Sequence, residues 1–493
     1  MSTRLSFLLG GAGVLAYLAL VLATHDAGLG REVRPGVRSH PFVFEDAYDR
    51  LAYQQRGRWL ASGGTPYVDE FSEYPQLTTW LVALPYLFFD HGVERGQPFG
   101  AVRDARAVLE EGGVPPDVAR LLCPIPQPGL EPRTPREAAE VLARYPEVDL
   151  SRARLAMEAA AAAEVRRGEE LQKNREAYGD VHHVLMALWF LALLALAVAN
   201  LRALGERPAW ALLLLLPASL YFGFNRFDLV VTTAVALAIW CELRGRRKAA
   251  ACALGAAVMV KWAPIVLVPL FLAYNARVLR DKGAPWRTAL ARGVLAPGLC
   301  AAFAIAVPLA VTYLWRGGGM EAVTAAFEWH KNVRQPNHSS LLALLTGPES
   351  WGWLAPEARP GLERLFRVLQ VAPACLLALL PLRTPRALLF AALTATLASI
   401  VFQEFFSPQW VLWITALGLY LAPRSRLVLA LVVALELVMY AQLPWCWYHL
   451  QVTGDEGPFR LVTDARMALL LVFLAASLVL TLRAALRPHS EPA

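Results

Sequence analysis

Charge is scarce in this chain and cysteine scarcer. Only 18% of the 493 residues are Asp, Glu, Lys or Arg, against about 25% in a soluble globular protein. Apolar residues make up 56%, where roughly 45–50% is usual. The imbalance excludes a soluble globule as the main architecture and points to a membrane. Six cysteines, four of them (Cys241, Cys252, Cys300, Cys375) inside apolar runs, have neither the density nor the Cys-x-x-Cys spacing of a disulfide scaffold or zinc site. They leave the redox compartment open. There is no internal repeat and no low-complexity tract beyond the Ala run at 159–163. The net charge of +7 sits in short basic clusters between apolar segments, which argues against nucleic acid as a partner.

Apolar runs suited to a hydrocarbon layer of about 30 Å occur near 5–23, 181–201, 208–222, 229–243, 249–262, 263–276, 293–313, 365–382, 387–402, 409–422, 427–443 and 464–483. They predict an all-α polytopic membrane protein of about 12 transmembrane helices. The first run follows Arg4 and precedes His25 rather than a small-residue cleavage site, so it reads as a retained anchor. Basic residues gather in alternate short loops: Arg202 with Arg207, Arg244 to Lys248, Arg277 to Arg292, Arg383 with Arg386, Arg424 with Arg426, and Arg483 with Arg487. By the positive-inside rule both termini are cytoplasmic. This holds if Ala249 to Asn275 is a helical hairpin turning near Lys261 and Pro264, where proline favours a break.

The chain then divides into five regions. Residues 1–90 hold the first span and an outer loop with a short interfacial helix from Gln76 to Asp90, and residues 91–180 form a charged, helical extramembrane insertion. Residues 181–313 are a transmembrane bundle, 314–364 a second outer loop, and 365–493 a C-terminal bundle. The insertion carries 13 basic and 16 acidic side chains, with an Ala-, Arg- and Glu-rich helical stretch from Pro135 to Glu176.

Chemistry-bearing residues concentrate in the outer loops. Asp46, Asp49 and Tyr53 fall at spacings of three and four, which is one face of a helix. A carboxylate there suits a general base at a reacting hydroxyl, and the same spacing suits a solvated juxtamembrane helix. Gly63-Gly64-Thr65-Pro66-Tyr67 is turn punctuation. It leads to Glu73-Tyr74-Pro75-Gln76-Leu77, where Glu73 fits equally a helix N-terminal acid. Asn225-Arg226-Phe227-Asp228 stands between two spans, so Arg226 and Asp228 form a structural pair, or Asp228 is an N-cap, or the two are substrate ligands. Lys261, in Val260-Lys261-Trp262-Ala263-Pro264, either snorkels or binds an anionic phosphate. The run from Trp329 to Ser340, with His330, Arg334 and His338, sets cationic donors beside aromatic and amide groups, as a sugar phosphate requires. Phe406-Ser407-Pro408-Gln409-Trp410 opens another span. The pairs His182-His183 and His330…His338 lack zinc spacing with carboxylate partners.

In this order these motifs resemble the GT-C superfamily of membrane glycosyltransferases, most closely the polyprenyl-phosphate-mannose-dependent enzymes of glycosyltransferase family 87 and their bacterial relatives. Those relatives carry an outer-loop Asp with Tyr four residues on, a Gly-x-x-Pro-Tyr turn, then Glu-Tyr-Pro-Pro-Leu. The matching residues are Asp49, Tyr53, Gly63 or Gly64, Pro66, Tyr67, Glu73, Tyr74, Pro75 and Leu77, with Gln76 in place of the second proline. The similarity continues through Asn225 to Asp228, Lys261 before Pro264, His330 to Arg334, and Ser407-Pro408-Gln409-Trp410. Gln403-Glu404 stand where relatives often place Lys, and residues 91–180 have no counterpart.

The resemblance implies a GT-C-like bundle in a bacterial inner membrane with its active site on the outer face. It implies a polyprenyl-phosphate sugar donor, mannose by family default, and transfer with inversion to a glycolipid, polysaccharide or protein acceptor. Asp49, or else Asp46, is the implied base; Glu73, Tyr74 and Tyr53 position sugar or acceptor; Arg226, Lys261, His330 and Arg334 hold the phosphate; Asp228 and Gln409 complete the substrate contacts. No cofactor is required by this chemistry, and a divalent metal stays open. No Gly-x-Gly-x-x-Gly follows a strand, so nothing suggests a nucleotide-sugar site. The competing reading is a polytopic transporter or lipid flippase, which would favour mid-membrane ionisable residues and repeated halves.

Overall fold

The computed structural model describes residues 31–34, 37–39, 47–61, 74–92, 105–115, 148–315, 318–332, 339–346 and 356–486, with scattered single positions elsewhere. The span expected at 5–23 falls almost wholly outside the described residues. Contacts divide the chain into two bodies, one of residues 48–182 with 308–333, the other of 1–47, 183–307 and 334–493.

The first body is built on α1 (Ala47–Ala61), α2 (Gln76–Ala83) and α3 (Leu150–Lys173). α1 is rich in the helix formers Ala, Leu, Gln and Arg. Its weak residue, Gly57, sits where α2 comes close: a Cβ there would lie 2.1 Å from the Val82 carbonyl oxygen. α2 begins after Pro75 and gives way to a 3-10 turn containing Pro85. The Asp149 carboxylate accepts the Ser151 and Arg152 N–H groups at 3.0 and 3.1 Å and so starts α3. The helix Gly319–Asn332 belongs to this body too. Gln76 donates to its Val323 carbonyl at 3.1 Å, and Trp315 just before it packs edge-on against Trp80.

α4 (Arg175–Ala203) follows Asn174 and is apolar over most of its 29 residues. The second body contains most of α4. A 3-10 segment, Pro208–Leu215, comes next, then α5 (Pro217–Asn225), bent by 70° from it. After these come α6 (Asp228–Leu243), α7 (Arg247–Val260), and the spans Ala263–Asp281 and Trp286–Leu314. α8 (Pro385–Val401), α9 (Val411–Leu421), α10 (Arg426–Tyr440) and α11 (Gly457–Leu486) complete it. α8 and α9 are apolar all round and bury nearly every residue, as the centre of a bundle requires.

The protein is an all-α membrane protein with one small exception to the sequence expectation: β1 (Arg31–Arg34) and β2 (Val37–Ser39) pair antiparallel. Among the described residues five helices are long and apolar enough to cross a membrane, or six if the bent pair Pro208–Leu215 and Pro217–Asn225 counts as one span. The expected count of about 12 rested on apolar runs, several of which are broken by proline or polar residues into helices too short for that count. Leu216 is extended (φ −64°, ψ 152°), as a residue before proline must be.

A break inside a bilayer exposes backbone N–H groups that water cannot reach, each costing several kcal/mol if unmet. Glu436 of α10, fully buried, meets this need at α5. Its Oε2 accepts the Ser219 N–H at 2.9 Å, and its Oε1 accepts the Ser219 and Thr415 hydroxyls. Replacing Glu436 with Ala leaves those donors without an acceptor. The expected loss is about 1–3 kcal/mol, seen as a lower thermal unfolding midpoint of detergent-purified protein, with Glu436→Gln losing less.

Candidate functional site

In the first body, α1 sets Asp49, Tyr53 and Gly57 in one row at four-residue spacing. Asp49 lies in the first turn of α1, and its side chain falls outside the described residues. Tyr53 is buried, with its ring 6.1 Å from that of Tyr74 and 6.0 Å from that of His182. His182 stacks at 6.2 Å on Tyr178, one turn earlier in α4. The Arg56 guanidinium stands 5.1 Å from the Tyr74 ring centre, within cation–π range. Thus Tyr53 and Tyr74, both expected at the site, share an aromatic wall.

The turn before Tyr74 holds a strained residue. Tyr67 has φ of +66°, in the left-handed region that side chains avoid. Its hydroxyl donates to the Tyr74 carbonyl oxygen at 2.6 Å and lies 2.9 Å from the Thr79 hydroxyl. Those bonds tie Tyr67 to Tyr74 and to Thr79 of α2.

The second body carries the buried ion pair. Asp228 lies in the first turn of α6 and is wholly buried; Lys261 is the extended residue that ends α7. Lys261 Nζ is 2.9 Å from Asp228 Oδ2, and its side chain is only 14% exposed. Lys261 therefore closes on Asp228 instead of snorkelling. Asp228 pairs with Lys261 and not with Arg226, and Phe227 occupies the N-cap position. Asp228 Oδ1 is buried without a hydrogen-bond partner among the described residues. Arg226 is half-buried at the end of α5.

Directly after these residues lies a small apolar pocket with about 30 Å³ of free volume. Its walls include Val231 and Thr232, one turn after Asp228; Ala263 and Pro264, just after Lys261; and Trp413, one turn after Gln409, with Tyr420 farther along α9. Thr232 donates to the Asp228 carbonyl at 2.7 Å. The Trp413 indole Nε1 is a buried donor with no protein partner among the described residues. Gln409 is buried at the start of α9.

Sequence reading passed over Arg466 in α11, which is fully buried. Its guanidinium donates to Gln442 Oε1 at 2.7 Å and to the Ser339 carbonyl, and lies 3.7 Å from the centre of the Phe406 ring. Gln442 donates in turn to the Thr463 hydroxyl at 3.1 Å. One arginine thus holds Ser339 and Phe406, the residue opening Phe406-Ser407-Pro408-Gln409. The available signal was an arginine beside a long apolar run, which a count of loop charges assigns to the interface.

Asp46, Glu73 and Arg334 lie outside the described residues, as does the side chain of His330, whose backbone is in the helix Gly319–Asn332. Among the described residues no group of three or more His, Cys, Asp and Glu is arranged to hold a metal ion.

Removing one member of a buried pair strands the other's charge at about 3–5 kcal/mol. Lys261→Met and Asp228→Asn are therefore each expected to lower thermal stability in detergent, and Lys261→Met with Asp228→Leu to recover most of the loss. Arg466→Lys, which keeps the charge but not the two-pronged donation, should retain folding better than Arg466→Met in the same assay.

The family model of glycosyltransferase family 87 matches residues 178–412. That stretch contains Arg226, Asp228, Lys261, His330, Arg334 and Gln409, and begins after Asp46, Asp49, Tyr53, Glu73 and Tyr74. No curated protein matches the chain. The buried Asp–Lys pair lies within the matched residues, and the apolar pocket is lined partly by them and partly by Trp413 to Tyr420 beyond their end. Residues 178–412, just under half of the chain, match the glycosyltransferase family 87 model, and this match supports a membrane glycosyltransferase.

Proposed function

We propose that the protein transfers a single sugar, mannose in the reading the resemblance favours, from a polyprenyl-phosphate donor to an acceptor hydroxyl at the outer face of a bacterial inner membrane. The acceptor is a glycolipid, a polysaccharide or a protein. Its oxygen attacks the anomeric carbon as the carbon–oxygen bond to phosphate breaks. The bonding electrons leave with the polyprenyl phosphate, the configuration inverts, and the acceptor proton passes to the Asp49 carboxylate. Asp46 is the second candidate base. Tyr53, Glu73 and Tyr74 orient the sugar or the acceptor. The departing phosphate needs positive charge more than a proton; Lys261, Arg226, His330 and Arg334 supply it, with arginine suited to two-pronged contact. Asp228 orients Lys261, and Gln409 adds an amide contact to the substrate. No step calls for a metal.

The observation that carries this reading is the apolar pocket whose walls begin next to Asp228, Lys261 and Gln409. A water-soluble sugar nucleotide has no use for an apolar chamber among membrane helices, whereas a lipid-linked donor brings a hydrocarbon chain attached to its phosphate. Asp228 Oδ1 and Trp413 Nε1, which have no hydrogen-bond partner among the described residues, are polar atoms suited to a head group.

The test is transfer of radiolabelled mannose from synthetic polyprenyl-phosphate mannose by purified protein in liposomes, with membrane lipid extract as acceptor. Loss of a general base costs about 10²–10⁴-fold, so Asp49→Asn is expected to lose at least 10²-fold, with Asp46→Asn close to wild type and EDTA without effect. The reading fails if a panel of lipid-linked sugars gives no transfer while the protein moves lipid or solute across liposomes independently of both aspartates. That outcome would make it a transporter or flippase.

A further inference from the structure

The insertion at 91–180 has no counterpart in the resemblance and ends where the family match begins, yet its long helix is bound to the helix that carries Asp49. α1 presents two adjacent rows. Asp49, Tyr53 and Gly57 form one, and Arg50, Gln54 and Arg58 form the other, each at four-residue spacing. All three members of the second row are buried, although none is apolar.

Each of the three is engaged by α3 or by the start of α4. Arg58 is 1% exposed, and its Nε donates to Glu170 Oε2 at 2.9 Å, with Nη2 donating to the same oxygen. Glu170 is the carboxylate that pairs with Arg58 among the described residues. Gln54 Nε2 donates to the Leu171 carbonyl at 2.8 Å, a buried bond. Arg50 lies against Gly179, where a Cβ would come within 2.6 Å of its Nη1. On other sides α1 meets α2 at Gly57, and the Tyr86 hydroxyl donates to the Gln54 carbonyl at 3.2 Å. The insertion is itself anchored, since Asn174 donates to the His91 carbonyl and the Tyr178 hydroxyl to the Val82 carbonyl.

A helix gripped along one full row cannot rotate about its axis. Neighbouring rows are about 100° apart at 3.6 residues per turn, so the grip on Arg50, Gln54 and Arg58 also fixes the row containing Asp49. We infer that α3 is a brace that sets the rotation of α1, with Glu170 a positioning residue for the transfer reaction through its pair with Arg58. The inference rests on the reading of Asp49 as the base. It gives the insertion a role inside the enzyme itself: the chain's most polar segment supplies the carboxylate that a buried arginine of α1 requires.

The experiment uses the full-length protein in liposomes and compares wild type, Glu170→Gln, the exchange Arg58→Glu with Glu170→Arg, and Glu169→Gln as an exposed neighbouring control. Two readouts are taken, steady-state transfer and backbone hydrogen exchange. A reacting group displaced by an ångström costs on the order of 10²-fold. Glu170→Gln is therefore expected to lower kcat by about 10- to 100-fold with the donor KM little changed, and to speed exchange within 47–61 but not in α8 or α9. The exchanged pair should recover both, and Glu169→Gln should match wild type. Unchanged exchange in 47–61 overturns the brace. Faster exchange with unchanged kcat overturns the positioning role. Asp49→Asn is assayed alongside: full activity there overturns the assignment of the base, while exchange still reads the brace independently.

Discussion

An ammonium and a carboxylate held 2.9 Å apart and away from water, Lys261 and Asp228, form the interaction around which the second body is arranged. Either charge alone would be costly at that depth, and together they tie the end of α7 to the start of α6. The constraint recurs at each break in the bundle. Where the chain bends before Pro217, Glu436 receives the freed donors of α5. Where α10 gives way to the kink at Leu443 and Pro444, Gln442 turns to Arg466. Interrupting a helix in hydrocarbon creates a demand for polar partners, and this protein meets it with ionisable side chains.

That economy links stability to chemistry. The Lys261 break stands at the head of the apolar pocket and falls within the family match, so an interruption in helix geometry places a charged group beside an apolar pocket. The first body solves the converse problem. α1 is too polar to bury itself in an apolar core, and its Arg58 and Gln54 are met by the Glu170 carboxylate and the Leu171 carbonyl of α3. The charged insertion is thus bonded to the helix it grips, although the two are separated by about a hundred residues of sequence.

Much of this was legible in the residues alone. Low charge and long apolar runs gave the membrane class, and Pro264 marked the break beside Lys261, since proline can neither donate nor continue a helix. The order of short motifs pointed to the family before the match over 178–412 did. The number of spans was not legible, because hydropathy registers apolar content and not whether Leu216 or Lys261 is extended. The partner of Asp228 was hidden too: Arg226 is two residues away, but the chain directions at α5 and α6 bring Lys261 to it instead.

Composition and periodicity by themselves determined that this is a largely helical membrane protein with its polar residues in defined clusters, because apolar length and helix spacing are local properties. Tertiary structure alone decided which charges meet. Arg466 reaches Ser339 and Gln442, Glu436 reaches Ser219, and Glu170 reaches Arg58, across separations from 24 to 217 residues. No pattern along the chain encodes such pairings, since each follows from packing that brings distant segments together and buries at least one of the partners.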